Sequence, residues 1–184
     1  MTDFLRFTRT LALGSWFGAI IYFVAVVTRG AFAVLSSRDE AGLLVGFALS
    51  GLHVIGLIAA AIFILASLAL RKSLRAFIEP AVLGVILMAA FSATLQYRMI
   101  PRMDALRRQM GSVEATPSTD PRRAEFDRLH SVSVDLEGAV LVIGLVSFFL
   151  ATREIRLSSR AKYGTGHEGR PTPLGKSKRG PSMH

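Results

Sequence analysis

The chain contains no cysteine. That excludes disulfides, thiolate metal sites and cysteine nucleophiles together, and it leaves the redox compartment open. Acidic residues are scarce beside basic ones: 13 Asp and Glu stand against 22 Lys and Arg, for a formal charge of +9. An excess of that sign can point to nucleic acid. Here, however, much of it gathers beyond Arg153, with no Gly-rich phosphate loop and no aromatic RNA-binding signature. No nucleic-acid partner is expected, and anionic lipid headgroups are the simpler partner for a basic tail beside membrane helices.

Charge is also missing from long stretches. Thr10–Thr28 and Leu43–Leu70 each hold at least 18 consecutive residues without a charged side chain, Ala81–Tyr97 comes close, and Gly138–Thr152 is shorter. Crossing the hydrocarbon layer takes about 20 residues. Apolar residues make up 51% of the chain, and mean hydropathy is +0.44 despite the charged tail. Several helices that are apolar nearly all round cannot be hidden inside a soluble protein of this size. The fold class is therefore all-α, a polytopic membrane protein built as a four-transmembrane-helix bundle, with the lipid bilayer as its first partner.

The helices are expected at about residues 5–35, 38–70, 80–108 and 121–153. They form one domain over 1–156, followed by a disordered basic cytoplasmic tail over 157–184, rich in Gly, Ser, Pro, Lys and Arg. Ser37 with Glu40 three residues on reads as a capping box, and Pro80 suits the first turn of the third helix. Pro101 is positioned to kink or end that helix. Met110–Thr119 reads as a polar loop, and Asp120-Pro121 reads as an N-cap followed by a first-turn proline. The first apolar run is too long for a signal-peptide core, and Arg29 precedes the small residues Ala31-Phe32-Ala33, so a retained helix is expected. With the termini inside, thirteen basic residues fall on the cytoplasmic side and nine on the other. This favours N- and C-termini in the cytoplasm of a bacterium, with the chain in its inner membrane.

The polar residues of the four spans share a depth. Counted from residues 10, 70, 80 and 152, Arg29, His53, Gln96, Tyr97, Arg98, His130, Asp135 and Glu137 lie about 15 to 22 residues in, at ~1.5 Å each. That level is near the outer face. Small residues accompany them: Gly14 and Gly18 on the first helix and Gly42 and Gly46 on the second are expected to let helices approach closely. A charge in a span costs about 2.5–3.5 kcal/mol, so these side chains should face inward and find partners. Asp135 and Glu137 would neutralise Arg29 and Arg98, either as structural ion pairs or as the lining of a ligand site. Snorkelling to headgroup level is a third use of the two arginines.

His53 and His130 lie on helices that run in the same direction, about five residues apart in depth, or ~7.5 Å of rise. That offset makes a poor pair of axial ligands. No metal site and no catalytic set of nucleophile, base and acid is expected, and no cofactor; haem b on these two histidines is the alternative that the spacing leaves open. Asp135 and Glu137 point different ways on one helix.

Several segments carry a family likeness. They are Gly14-Ser15-Trp16-Phe17-Gly18, Asp39-Glu40-Ala41-Gly42 leading to Leu52-His53, Pro101-Arg102-Met103, and Phe126-Asp127-Arg128-Leu129-His130-Ser131-Val132-Ser133. In order and spacing the chain resembles, over roughly residues 10–153, the bacterial four-helix membrane proteins of domain of unknown function 4149, and is similar to the transmembrane-protein-205-like group. Asp135 and Glu137 follow the last segment where such families often carry an asparagine, so a role tied to that amide does not transfer. The resemblance implies a fold and a membrane location and no established reaction. A more distant likeness to compact membrane haem proteins, including the CopD-like copper-resistance group and the membrane protoporphyrinogen oxidases, rests on helical layout and histidines alone.

The function expected is that of a non-enzymatic integral membrane protein. It would bind or pass a small solute, ion or lipid through the polar layer, or dock a second copy or another membrane subunit there. The alternative is a haem- or quinone-linked redox protein using His53 and His130.

Overall fold

The computed structural model describes residues 1–164, with side chains as far as Arg153. Four helices are long and apolar enough to cross a membrane, and no strand occurs among the described residues. They are α1 (Thr2–Val34), α2 (Arg38–Arg71), α3 (Pro80–Met110) and α4 (Pro121–Gly164). The last of these runs past Arg153 and through the first residues of the expected tail. The remainder of that tail, from residue 165, lies outside the described residues.

Short connections make consecutive helices antiparallel neighbours. α1 packs on α2, α2 on α3, α3 on α4, and α4 returns to α1, closing a ring of four. Both α1–α2 and α3–α4 connections fall at one end of the bundle, called here the open end. The N-terminus and the α2–α3 connection share the other, the closed end.

Local chemistry fixes the boundaries. At the start of α2 the Ser37 hydroxyl accepts from Glu40 N–H at 3.1 Å. The reciprocal half of the box is replaced, because the Glu40 carboxylate takes the Ser36 hydroxyl at 2.9 Å. Lys72 stops α2 in a left-handed conformation (φ 48°) and donates its N–H to the Leu68 carbonyl at 2.8 Å. A 3-10 turn over Leu74–Ile78, begun by Ser73, leads to Pro80. Asp120 accepts from Arg122 N–H at 2.8 Å at the start of α4.

Pro101 neither ends nor visibly breaks α3. Proline removes one N–H and crowds the carbonyl four residues before it. The helix answers with a widened π turn over Leu95–Met99, directly ahead of the ring, and then continues as α-helix from Ile100. A second π turn, Phe23–Thr28, interrupts α1, where the Thr28 hydroxyl donates to the Phe23 carbonyl five residues back at 3.2 Å.

The core occupies the closed half of the bundle. Leu13, Trp16 and Ile20 of α1, Phe63 of α2, Val82, Val85 and Met88 of α3, and Val140 of α4 are fully buried. Lipid tails are as apolar as these side chains, so close fit rather than water exclusion holds spans together. Three glycines supply that fit. A Cβ on Gly56 would land inside the Trp16 indole, one on Gly84 would collide with the Ser147 hydroxyl, and one on Gly144 would meet Met88 at 3.0 Å and Phe17 at 3.2 Å. Of the glycines expected to pack helices, Gly14 does so more loosely, facing Phe148 of α4 at 3.3 Å. Gly18 faces open space with nothing within 4 Å.

Candidate functional site: a polar junction below an open cavity

Where the core ends, three helices are joined by hydrogen bonds. His53 of α2 is 1% exposed. Its Nδ1 lies 3.3 Å from Gln96 Oε1 on α3, and its Nε2 lies 3.3 Å from Glu137 Oε2 on α4. Gln96 in turn donates its Nε2 to the Ser50 hydroxyl at 2.8 Å. Gln96 stands in the π turn ahead of Pro101, so the helix irregularity is what turns this amide toward α2. The amide oxygen can only accept, so Nδ1 carries a hydrogen. One further hydrogen must then lie between Nε2 and the carboxyl of Glu137. Whichever atom holds it, the pair is neutral as a unit, which is how a buried carboxylate and imidazole avoid leaving a net charge in the bilayer.

Above the junction, toward the open end, lies a cavity of about 560 Å³ touched by all four helices and the α3–α4 loop. Its size is within the range of small-molecule pockets, roughly 300–1,000 Å³. Apolar side chains make most of the wall, among them Phe23, Phe32, Leu49, Met103, Val134 and Leu141. Glu137 reaches it from the junction, and Arg38, Asp39, Asp104, Arg107, Glu114 and Arg123 stand toward its mouth. α1 and α4 flank one side of it. In the closed half they meet through Gly14 and Phe148 and through the stacked rings of Phe17 and Phe148, 6.4 Å apart. In the open half they part: the final turns of α1 pack on α2 and make at most a marginal contact with α4. The gap is bordered by exposed apolar residues, Val24, Phe32 and Val134.

The mouth is built around Asp39 and Arg107. Asp39, in the first turn of α2, accepts from the Ser112 hydroxyl and from the N–H groups of Val113 and Glu114 at 3.1 and 3.4 Å. One carboxylate thus ties the α3–α4 loop across the bundle, and Arg38 N–H adds a bond to Glu114 at 3.2 Å. Arg107 lies over the Phe126 ring, 5.5 Å from its centroid, and Phe126 stacks on His130 at 6.3 Å. Its guanidinium rests on the glycine face of α2: a Cβ at Gly42 would stand 3.3 Å from Nη2, and one at Gly46 4.0 Å from Nη1. Gly42 and Gly46 therefore make room for an arginine and not for a neighbouring helix backbone.

The shared polar level divides into members that meet and members that do not. His53, Gln96 and Glu137 meet. Arg29, Tyr97, Arg98 and Asp135 are exposed on the outside of the bundle and make no ion pair among the described residues. The expected neutralisation of Arg29 and Arg98 by Asp135 and Glu137 does not form, because Glu137 turns to His53. His130 is exposed but lines the cavity through its stack on Phe126. Both ring nitrogens of His53 are engaged, so an axial bond to a haem would displace Gln96 or Glu137.

The closed end carries a feature absent from sequence reasoning. Glu79, 6% exposed, pairs with Arg9, 8% exposed, at 3.4 Å and also with Arg71. The Arg9 guanidinium lies 4.7 Å over the Phe63 ring. Glu79 immediately precedes Pro80, where a helix N-terminus favours negative charge. Its position before that proline was the available signal. Arg107 was hidden for another reason. It lies beyond Pro101, and only a helix that survives the proline carries it back over the bundle.

Four spans around a buried polar junction define a multi-pass membrane protein. The chain belongs to the family described as domain of unknown function (DUF4149), whose model matches residues 11–112. That stretch covers most of α1 and all of α2 and α3, and it ends in the loop tied by Asp39. Glu137 and His130 of α4 lie outside it. No curated protein and no solved structure matches the chain.

Proposed function

We propose that this protein is a non-enzymatic binding protein for a lipid-like small molecule. The molecule is taken sideways from the bilayer through the gap between α1 and α4. The observation that carries this reading is the apolar-walled cavity of about 560 Å³ at the place where those two helices part. A site for a freely soluble polar solute would need more convergent hydrogen-bonding groups in its wall. Here the charged groups stand toward the mouth and at Glu137, and the span between them is mainly apolar, with Thr28, His130 and Ser133 as its polar members. The basic-residue balance supports both termini in the cytoplasm of a bacterial inner membrane, which sets the cavity in the outer leaflet.

Photolabelling tests the reading. The full chain in phosphatidylcholine nanodiscs is exposed to a long-chain alcohol bearing a diazirine, and labelled residues are mapped by mass spectrometry. Labels should concentrate on the cavity faces of α1 and α4. Gly138 lines the cavity with nothing within 4 Å of its Cβ position, so Gly138→Trp should fill the space and cut that labelling about tenfold. Even labelling of every lipid-facing residue, unchanged by Gly138→Trp, would sink the proposal.

A further inference from the structure

We infer that the ligand is a single-chain amphiphile with an anionic head, and that Arg107 is the residue that receives the head. The inference rests on the cavity being a binding site and goes further by naming the chemistry it selects.

Several of the charged groups lining the cavity already have partners in the protein. The Asp39 carboxylate is occupied by one hydroxyl and two amide N–H groups of the α3–α4 loop. Arg123 shares its Nε–H between the two Asp127 carboxylate oxygens at 2.9 and 3.0 Å and donates Nη1 to the Val113 carbonyl. Glu137 is matched by His53. Arg107 is different. Among the described residues the carboxylate in ion-pair range is Asp104 at 3.5 Å, well beyond the roughly 2.7–2.9 Å of a charge-assisted bond, and Asp39 acts on Arg107 only through space. Its Nε is buried and has no acceptor. A guanidinium offers five donors in a planar fork, and most of this fork has no acceptor among the described residues.

That arrangement is costly in a protein alone. The Arg107 side chain is only 18% exposed, and the Phe126 face offsets part of the desolvation of the cation. The remainder is offset by an anion that fits the fork, for which carboxylate and phosphate are the matching shapes. The positions of the glycines point the same way. Gly42 and Gly46 let the guanidinium lie flat against α2 at the cavity wall, and any larger residue at Gly42 would press on Nη2 and shift the fork. Below Arg107 the wall turns apolar through Met103, Val45, Leu49 and Leu141, which suits one alkyl chain running toward Glu137. An anionic chain end at Glu137 would meet a carboxyl group already matched by His53, so the head lies at the mouth and the tail at the junction.

The same nanodisc assay distinguishes this from the parent reading. Palmitate, hexadecyl phosphate, hexadecanol and hexadecylamine are set to compete with the diazirine alcohol on the full chain. Palmitate and hexadecyl phosphate should compete at concentrations at least tenfold lower than the alcohol or the amine. Whichever anion is the stronger tells a carboxylate head from a phosphate head. Arg107→Gln should abolish the advantage of both anions, and Arg107→Lys should keep part of it. If all four compounds compete equally while Gly138→Trp still blocks labelling, the anionic head is wrong and the lipid-binding cavity stands. If no compound competes and Gly138→Trp changes nothing, the cavity reading falls and takes this inference with it. The comparison of head groups on the unaltered protein decides the matter even where a variant at Arg107 fails to assemble.

Discussion

The two halves of this bundle use the same four helices to opposite ends. In the closed half the charged residues form a plug. Arg9 and Glu79 pair beneath a ring, and glycines admit Trp16 and Ser147. In the open half the charged residues form a mouth, the glycines at 42 and 46 admit an arginine, and α1 leaves α4. Both π turns and the His53 junction sit where one half gives way to the other. The difference shows that polar content does not mark a site in a membrane bundle. What marks it is whether a charged group is held by opposite charges on other helices, as Glu79 is by Arg9 and Arg71, whereas the carboxylate in ion-pair range of Arg107 among the described residues is Asp104 of its own helix.

The comparison can be broken most forcefully at the plug. Glu79→Ala strips the carboxylate from buried Arg9, and losing one partner of a buried pair costs on the order of 3–5 kcal/mol. Unfolding in detergent, followed by circular dichroism, should show a loss of that size. A change below ~1 kcal/mol would mean the closed end is not held by its ions. Next in size is the glycine contrast. Gly56→Leu forces a side chain into the Trp16 ring and should cost roughly 1–3 kcal/mol or more, with an altered emission from the chain's one tryptophan. Gly138→Leu points into the cavity and should stay within about 0.5 kcal/mol. Equal costs at the two positions would erase the distinction between a packed and an open half.

The junction between the halves is tested by coupling. A double-mutant cycle on His53→Ala and Glu137→Ala should give an interaction energy of about 0.5–3 kcal/mol. A cycle on His53 and Asp135 should give none, since Asp135 is exposed and outside the network. Additive His53 and Glu137 effects would disprove the shared hydrogen. The smallest effect is expected at the rim. Asp120 is held at about 2, chiefly by its hydrogen bonds to the Arg122 side chain and backbone N–H. A carboxyl lowered in the folded state stabilises above its ordinary value and loses that contribution as pH falls through the lowered one. The protection of amides in residues 122–124 against hydrogen exchange, relative to the intrinsic rate at each pH, should therefore be constant down to about pH 4 and fall only below it. Protection already lost at pH 5 would contradict the cap.

Much of the fold was legible because it depends on local properties that sequence carries directly. The apolar runs, the Ser37 cap, Pro80 and Asp120-Pro121 dictate spans and starts without reference to any partner, and His53, Gln96 and Glu137 could be placed at one level by counting residues. Depth, however, says nothing about azimuth. Arg29, Arg98 and Asp135 share that level and face outward, so the ion pairs expected between them do not form. Two π turns shift the faces of α1 and α3, and a period of 3.6 carried through them aims every later residue wrongly. Arg9 and Glu79 are far apart in the chain and carry no mutual signal.

The shared level therefore comes out narrower than it went in. By itself the sequence determined four spans, their antiparallel order and the depth of their polar groups, because hydrophobicity and helical rise act along the chain. Only the tertiary structure decided that His53 takes Gln96 and Glu137, that Arg107 returns over Gly42, and that α1 parts from α4. Each of those depends on helix rotation and crossing, which are set by contacts between segments distant in sequence.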